Sequence, residues 1–186
     1  LQKMFGLSHG AHQMAQESLD VPDAFRQELG RLVSPYLAIG QALAADDAEA
    51  ASQAVSDLHQ VVESVSGQSL SDKAAERWTA ERGSLSEIAG RLAKANELPA
   101  LRAAFALLSD ELLTLHRTFG LPGSHQLFEL HCPMAFDGRG ATWLQTDKQV
   151  RNPYYGASML KCADRVEPLA DEQEQQAHEH AGHDHG

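Results

Sequence analysis

The chain has 186 residues, the size of one domain or of one domain with tails, and 42% of them are hydrophobic, enough for a single sizeable core. Its formal net charge is −11, with 26 acidic against 15 basic residues. This balance argues against nucleic acid and against anionic membrane surfaces as partners. Because no apolar run reaches about 18 residues and residues 1–10 have no apolar core segment, we expect neither a membrane span nor a signal peptide.

The first regular apolar pattern begins near residue 22, after a stretch over 1–19 that is expected to be a mobile leader. Apolar residues then step by alternate intervals of four and three, which predicts a helix over about 22–45. We expect Asp20 to cap this helix, Pro22 to lie in its first turn, and Pro35 to kink or break it locally. The stripe consists of Phe25, Leu29, Leu32, Tyr36, Ile39 and Leu43.

Three further apolar stripes of the same kind predict three more helices. The second helix is predicted to open at Asp46 and Asp47, as cap and first-turn charge, and to end at Gly67. The third is predicted over about 71–96 and the fourth over about 99–120. The links between them are short, so successive helices should be antiparallel neighbours.

The predicted fold class is therefore mainly α: an antiparallel up-down four-helix bundle, with a small C-terminal loop and β-hairpin lobe packed on it. The sequence divides into the leader, the bundle over 20–121, the lobe over 122–170 and a histidine-rich tail over 171–186. Trp78, Phe105 and Phe119 lie at helical spacing on apolar faces and are expected in the core.

Several catalytic motifs are absent from the sequence, and we do not expect an enzyme. His59 and His116 lie next to the apolar seam, but no Glu-x-x-His pair accompanies them, which argues against a di-iron bundle. The chain also has no glycine-rich phosphate loop, no H-E-x-x-H and no C-x-x-C.

The periodicity changes after the fourth helix. Residues 126–132 alternate partly, and Ala141–Gln145 is a second candidate strand, which predicts a hairpin around the glycine-containing turn at 137–140. Residues 152–156 predict a turn that shapes the loop, and residues 157–162 predict a short helical turn.

Sulfur-bearing residues stand at both ends of this lobe, with turn formers between them. An extended chain would point Cys132 and Met134 the same way, and a helical turn would put Met159 and Cys162 on one face. If the segment doubles back, two thiolates and two thioethers converge. Such a set suits a soft monovalent ion, Cu(I) or Ag(I), better than Mg or Ca.

Two neighbours of these residues have a possible role in the same site. His131 is a fifth candidate ligand, ranked lower because on an extended chain it points away from Cys132. Trp143 is expected to be the main apolar anchor of the lobe against the bundle; over a bound Cu(I) it could instead supply a cation–π contact.

The cysteines also have a structural interpretation. Cys132 and Cys162 could form a disulfide that closes a loop of about 30 residues, worth roughly 3–4 kcal/mol in the chain-entropy model. The methionines would then be packing residues. The two interpretations need not exclude each other, since a reducible pair could exchange between states.

The tail from residue 171 on is polar and acidic, with no apolar group to fold it, and is expected to be disordered. A histidine-rich tract of this kind binds Zn(II), Cu(II) or Ni(II) loosely, so we expect an auxiliary site with zinc as one candidate ion. Its histidines are His178, His180, His183 and His185.

The lobe carries a family resemblance. The strings C-P-M-A from Cys132, W-L-Q from Trp143, N-P-Y-Y-G from Asn152 and M-L-K-C from Met159 resemble an uncharacterised family of bacterial exported domains. That family occurs alone or at the C-terminus of periplasmic adaptor subunits, the membrane fusion proteins, of heavy-metal efflux pumps of the resistance-nodulation-division type. Its last cysteine is usually followed by glycine, where this chain has Ala163. The resemblance implies a periplasmic protein that works with efflux adaptor or transporter components.

Two functions follow from these observations. The first is a periplasmic soft-metal module that binds Cu(I) or Ag(I) at the sulfur residues and takes part in heavy-metal efflux. The second is a structural or docking domain of an efflux adaptor, with no metal of its own, in which a disulfide-stapled lobe presents Tyr154 and Tyr155 to a partner.

Overall fold

The computed structural model describes residues 18–169 and is mainly helical, as the sequence predicts. Consecutive helices contact one another from α2 to α5 and form the up-down bundle. None of the helices in residues 18–169 has the length and apolarity that a bilayer-spanning segment needs. The helices are α1 (Asp23–Gly30), α2 (Val33–Ala44), α3 (Ala48–Ser64), α4 (Asp72–Lys94) and α5 (Leu98–Phe119).

The first predicted helix is in fact two, α1 and α2, separated at residues 31–32. Pro35 lies in the first turn of α2; it has no N–H to donate to the carbonyl of Arg31, and its ring crowds that carbonyl. The predicted local break therefore occurs, one turn before the proline. The prediction for Asp20 is wrong: Pro22 occupies the N-cap position, and the Asp20 carboxylate lies 3.4 Å from Arg26 instead.

The pair at 46–47 precedes α3 as predicted, but the cap is Asp47 and not Asp46: Asp47 Oδ1 accepts a hydrogen bond of 2.9 Å from the N–H of Ala50. The acidic residue in the first turn is Glu49. The helix ends at Ser64, earlier than predicted, and Gly67 lies in the following loop with φ +66°. These differences at helix ends leave the buried stripe unchanged.

Aromatic rings fill the core between the helices. Phe25 meets Trp78 and Phe119 edge to face, with ring centroids 5.3 Å and 5.4 Å apart. Tyr36 of α2 stacks on Phe105 of α5 at 4.9 Å. All five side chains are buried, which confirms the prediction that these residues belong to the core.

The lobe contains a three-stranded antiparallel sheet with the order β2-β1-β3. β1 (Phe128–Cys132) pairs with β2 (Ala141–Gln145) as the predicted hairpin, with Leu130 opposite Trp143 and Cys132 opposite Ala141. A third strand, β3 (Arg165–Pro168), was not predicted. Its four residues are all exposed and show no apolar alternation, so the sequence gives no strand signal there.

The lobe packs on the bundle through buried aromatic residues. Trp143 is 1% exposed, which agrees with its predicted role as an anchor, and its ring meets Tyr154 edge to face at 5.9 Å. The ring centroid of Tyr154 in turn lies 6.1 Å from that of Phe105 of α5. One apolar core therefore runs from the helices into the sheet.

Candidate functional site

The turn-rich segment folds back and brings the two cysteines together. Cys132 ends the central strand β1 and is fully buried, whereas Cys162 is the last residue of the turn at 159–162 and is half-buried. Their Sγ atoms lie 3.0 Å apart, and both residues are free thiols. This is the convergence that the sequence predicts for the two cysteines.

Met134 does not continue the strand of Cys132. The prediction that the side chains of Cys132 and Met134 point the same way is therefore wrong. Residues 133–134 form a turn, and Met134 has helical dihedral angles, with φ −86° and ψ −15°. The hairpin loop begins directly after Cys132 and is closed by a 2.9 Å hydrogen bond from Gly140 N–H to the carbonyl of Ala135. As a result Cys132 faces the core while Met134 is 54% exposed.

Met159 and Cys162 do not share a helical face, which corrects the second geometric expectation. The helical turn covers only Gly156–Ser158, and Met159 has φ −147° and ψ 52°. The backbone N–H of Cys162 nevertheless donates a 3.0 Å hydrogen bond to the carbonyl of Met159. The side chains of both methionines are exposed. Each methionine contacts Cys162 through its backbone: Met159 through this carbonyl, and Met134 through its N–H, which faces the Cys162 thiol.

Asn152 holds the backbone of Cys162 in place. Its side-chain N–H donates to the Cys162 carbonyl at 2.8 Å, and its Oδ1 accepts hydrogen bonds from the backbone N–H groups of Tyr154 at 2.8 Å and Tyr155 at 3.3 Å. The backbone N–H of Asn152 donates to the carbonyl of Leu160 at 2.8 Å. Asn152 is completely buried. This agrees with the prediction that residues 152–156 shape the loop.

A second contact fastens the same loop to the helices. The Asp46 carboxylate accepts a 2.9 Å hydrogen bond from the N–H of Ala157 and lies 2.6 Å from Arg102, whose Nε donates to the carbonyl of Pro153 at 2.8 Å. These hydrogen bonds hold the pKa of Asp46 below its usual range, the N–H of Ala157 contributing most and Arg102 next. A side chain at Gly156 would clash with this pair.

Arg102 and Asp46 were missed as positioning residues. Arg102 is one of several polar positions on α5, and Asp46 stands beside Asp47, which caps α3, so nothing local distinguishes either residue. Their partners lie 51 and 111 residues away in the chain.

The tyrosines of the motif are mostly turned inward. Tyr154 is 7% exposed and its hydroxyl donates to the carbonyl of Thr142, so it does not offer the docking surface proposed from the sequence. Tyr155 is half-buried and its hydroxyl donates a 2.6 Å hydrogen bond to the carbonyl of Met134. Burial and the adjacent cysteines raise the pKa of Tyr155.

His131 lies on the other face of β1 from Cys132. Its Nδ1 is 2.7 Å from the Asp164 carboxylate, and the ring packs against Gly140. The hydrogen bond to His131 lowers the pKa of Asp164. His131 was ranked below the sulfur residues because it was expected to point away from Cys132, and its side chain does so.

The distance between the two Sγ atoms is intermediate between the distance in a disulfide and the distance in a metal-bound thiolate pair. A disulfide needs sulfurs about 2.05 Å apart, and two thiolates on a tetrahedral ion with ~2.3 Å bonds lie roughly 3.7 Å apart. The observed 3.0 Å separation is within about 1 Å of both. Small movements of one side chain therefore give access to either state.

The pKa of the Cys162 thiol is raised. The hydrogen bond between Cys162 and Cys132 raises the pKa of the Cys162 thiol, and burial raises it further, while the N–H of Met134 acts in the opposite direction. Any process that uses the Cys162 thiolate must therefore compete with a tightly held proton.

Within residues 18–169, no group of three or more His, Cys, Asp or Glu side chains is arranged to hold a metal ion. A metal at the thiol pair would therefore need the thioethers of Met134 and Met159 or an outside ligand to complete its coordination. Residues 1–17 and 170–186 lie outside the described residues, and with them almost all of the predicted leader and His178, His180, His183 and His185.

Residues 32–123 match the model of a family described as "Protein of unknown function (DUF3347)", and this part of the chain is a domain of that family. The match covers α2 to α5 and ends before β1, so the sequence motif from Cys132 to Cys162 lies beyond it. Neither a curated protein nor a solved structure gives a significant match to the chain.

Proposed function

We propose that this protein is a periplasmic soft-metal module that binds Cu(I) or Ag(I) at the Cys132–Cys162 thiol pair and takes part in heavy-metal efflux. The observation that carries the proposal is the 3.0 Å approach of two free thiols that are 30 residues apart in the sequence. Thiolate ligands favour soft monovalent ions over hard divalent ones.

The donor set fits such an ion once the pair opens slightly. The sulfurs must separate by about 0.7 Å to share a metal with ~2.3 Å bonds. Cys162 is the residue that moves, because it lies in a half-buried turn, whereas Cys132 belongs to the central strand of the sheet. Met134 and Met159 adjoin Cys162 and are 54% and 36% exposed, so their flexible side chains supply the remaining soft donors.

The surrounding residues position these ligands rather than bind the ion. Asn152 fixes the Cys162 carbonyl, and the Asp46–Arg102 pair fastens the preceding loop to the bundle. His131 is engaged with Asp164 on the opposite side of the strand and acts at most as an outer donor. In this proposal the histidine tail is an auxiliary collector of Zn(II) or copper.

The cellular setting in this proposal comes from the sequence motif. Its resemblance to domains fused to efflux adaptors supports a periplasmic location and a partner among the adaptor or transporter components. The net charge of −11 supports attraction of cations.

The test is an anaerobic titration of the full-length protein with Cu(I) under reducing conditions, against a chromophoric Cu(I) chelator. The tail histidines His178, His180, His183 and His185 are replaced by glutamine so that only the lobe is measured. We expect one Cu(I) per chain, bound more tightly as pH rises because protons leave Cys162.

Matched variants separate the ligands from their surroundings. Cys132→Ser/Cys162→Ser should abolish the tight site, and Met134→Leu with Met159→Leu should weaken it by about tenfold or more, on the order of 1.4 kcal/mol. His131→Gln should leave it unchanged. Equal binding by the wild type and the double cysteine variant removes the proposal and leaves the alternative, a lobe stapled or docked without its own metal.

A further inference from the structure

The two thiols differ sharply in access. Cys132 is 0% exposed and ends the central strand β1, opposite Ala141 of β2. Cys162 is half-buried and lies in the segment between the 3₁₀ turn at Gly156–Ser158 and β3. A molecule arriving from solvent therefore meets Cys162 first and reaches Cys132 only through it.

We propose that Cys162 is a site of thiol–disulfide exchange with external disulfides, and that Cys132 is the resolving thiol that converts the product into an internal disulfide. The partner is a small-molecule disulfide, or an exposed protein disulfide with the same chemistry. This goes beyond metal binding, and the exchange itself requires no metal.

The reaction balances in two steps. The Cys162 thiolate attacks one sulfur of the external disulfide RS–SR; that S–S bond breaks, and one RS⁻ leaves and takes up a proton. Cys132 then loses its proton to solvent and attacks Cys162 Sγ, releasing the second RS⁻, which is also protonated. Two cysteine thiols and RS–SR become one Cys132–Cys162 disulfide and two RSH, so two electrons pass to the external disulfide.

The geometry favours this order of attack. Cys132 Sγ lies only 3.0 Å from the sulfur that it must attack, so the second step is intramolecular and needs an approach of about 1 Å. The reverse order would require the external disulfide to enter the core beside Cys132. The turn that carries Cys162 has no strand partner, and within it the side chain can adjust while Asn152 holds the carbonyl.

The internal disulfide and a metal ion at the thiol pair would compete for the same two sulfur atoms. Oxidation would remove both thiolate ligands, so the exchange would switch off the soft-metal site; this consequence alone rests on the proposed function.

The experiment uses the reduced full-length protein with a chelator present and glutathione disulfide as the probe. Samples are quenched with acid, alkylated and analysed by intact mass and peptide mapping. The wild type should lose two hydrogens and show glutathione only transiently, on the Cys162 peptide. Cys132→Ser should accumulate a stable glutathionyl group on Cys162, and Cys162→Ser should be modified at Cys132 at least about tenfold more slowly.

Circular dichroism checks that each variant is folded; Cys132→Ala replaces the serine variant if that one is not. The transient adduct in the wild type gives the order of attack without any substitution. Glutathione appearing first on Cys132, or equal rates for the two single variants, overturns the proposal. The proposal is also overturned if the folded protein does not form the internal disulfide under conditions in which the urea-unfolded protein forms it. Because no metal is present, these results are independent of whether Cu(I) binds.

Discussion

The hydroxyl of Tyr36, on α2, accepts a 2.9 Å hydrogen bond from the backbone N–H of Leu144, on β2, although the two residues are 108 positions apart. The same hydroxyl is 2.8 Å from Ser109 Oγ of α5. Tyr154 completes the arrangement by donating to the carbonyl of Thr142. Two buried tyrosines thus satisfy the outer edge of β2, which closes a strand edge that would otherwise be open and joins the lobe to the helices.

Tyr36→Phe should destabilise the protein by about 1–3 kcal/mol, because it leaves the buried N–H of Leu144 and the Ser109 hydroxyl without this partner. Urea unfolding followed by circular dichroism measures the change, and amide exchange at Leu144 should accelerate. Tyr155→Phe is the control, since the Tyr155 hydroxyl bonds at the surface of the lobe and its loss should cost less. Equal stability of Tyr36→Phe and wild type would contradict this account.

The helices and the hairpin were predictable because their signals are local. Apolar residues recur at helical spacing from Phe25 to Phe119, and the same positions are buried in the structure. The strands at Phe128–Cys132 and Ala141–Gln145 lie close to their predicted bounds, since a glycine-containing turn separates two runs of strand formers. Here tertiary packing agrees with local preference.

The site was predictable only in part, because its remaining geometry depends on contacts that are distant in sequence. The convergence of Cys132 and Cys162 follows from a segment that turns back. The directions in which the Met134 and Met159 side chains point could not be predicted in this way. Hydrogen bonds of the loop, rather than side-chain periodicity, set the backbone dihedral angles of these two residues. Asp46 likewise contacts Ala157 across the fold, which no spacing rule could indicate.

Asp46→Asn should remove a pH-dependent part of the stability of the lobe. The pKa of Asp46 is lowered in the folded state, so its contribution is present above the pKa of the unfolded chain and is lost as pH falls through the folded value. Asparagine can still accept from the N–H of Ala157 and tolerates the φ of +57°, but it carries no charge to attract Arg102.

We therefore expect the wild type to lose stability relative to Asp46→Asn as pH falls below about 4. Amide exchange at Ala157 and urea unfolding over pH 3–7 measure the difference. Asp46→Ala is the stronger variant, because it also loses the acceptor and strains the backbone, for a cost of about 1–2 kcal/mol at neutral pH. Parallel pH profiles of wild type and Asp46→Asn would rule out the charge contribution.

Glu111→Gln should stabilise the protein at alkaline pH. Glu111 Oε1 is buried without a hydrogen-bond partner among the described residues, and Glu81 of α4, which is bound by Arg77, faces it. Burial, followed by the adjacent Glu81, raises the pKa of Glu111 to about 8, and Arg77 offsets only part of this. The folded state therefore holds a proton that the unfolded chain releases near its ordinary value of 4.5.

The sign follows from proton linkage: the folded state binds more protons between about pH 4.5 and 8, so stability falls as pH rises through this range. After allowance for solvent screening, we expect a loss of about 1–2 kcal/mol by pH 8.5, absent in Glu111→Gln. Glu87→Gln, at an exposed position of α4, is the control and should keep the wild-type profile. Urea unfolding at pH 5, 7 and 8.5 provides the measurement.

Gly67→Ala should be the most damaging of these changes, although it adds one methyl group. Gly67 has φ +66°, which an L side chain rarely adopts, and its Cβ would lie 2.6 Å from Trp78 Nε1. Trp78 is 4% exposed and meets Phe25 and Phe119 edge to face, so its ring cannot retreat without disturbing the core. We expect a loss of about 2–4 kcal/mol and altered near-ultraviolet circular dichroism. Gly83→Ala is the matched control: apart from the adjacent backbone of α4 itself, no atom lies within 4 Å of its Cβ position, so it should stabilise the helix by about 0.5–1 kcal/mol. Equal effects of the two substitutions would show that the close approach of Gly67 to Trp78 does not limit the fold.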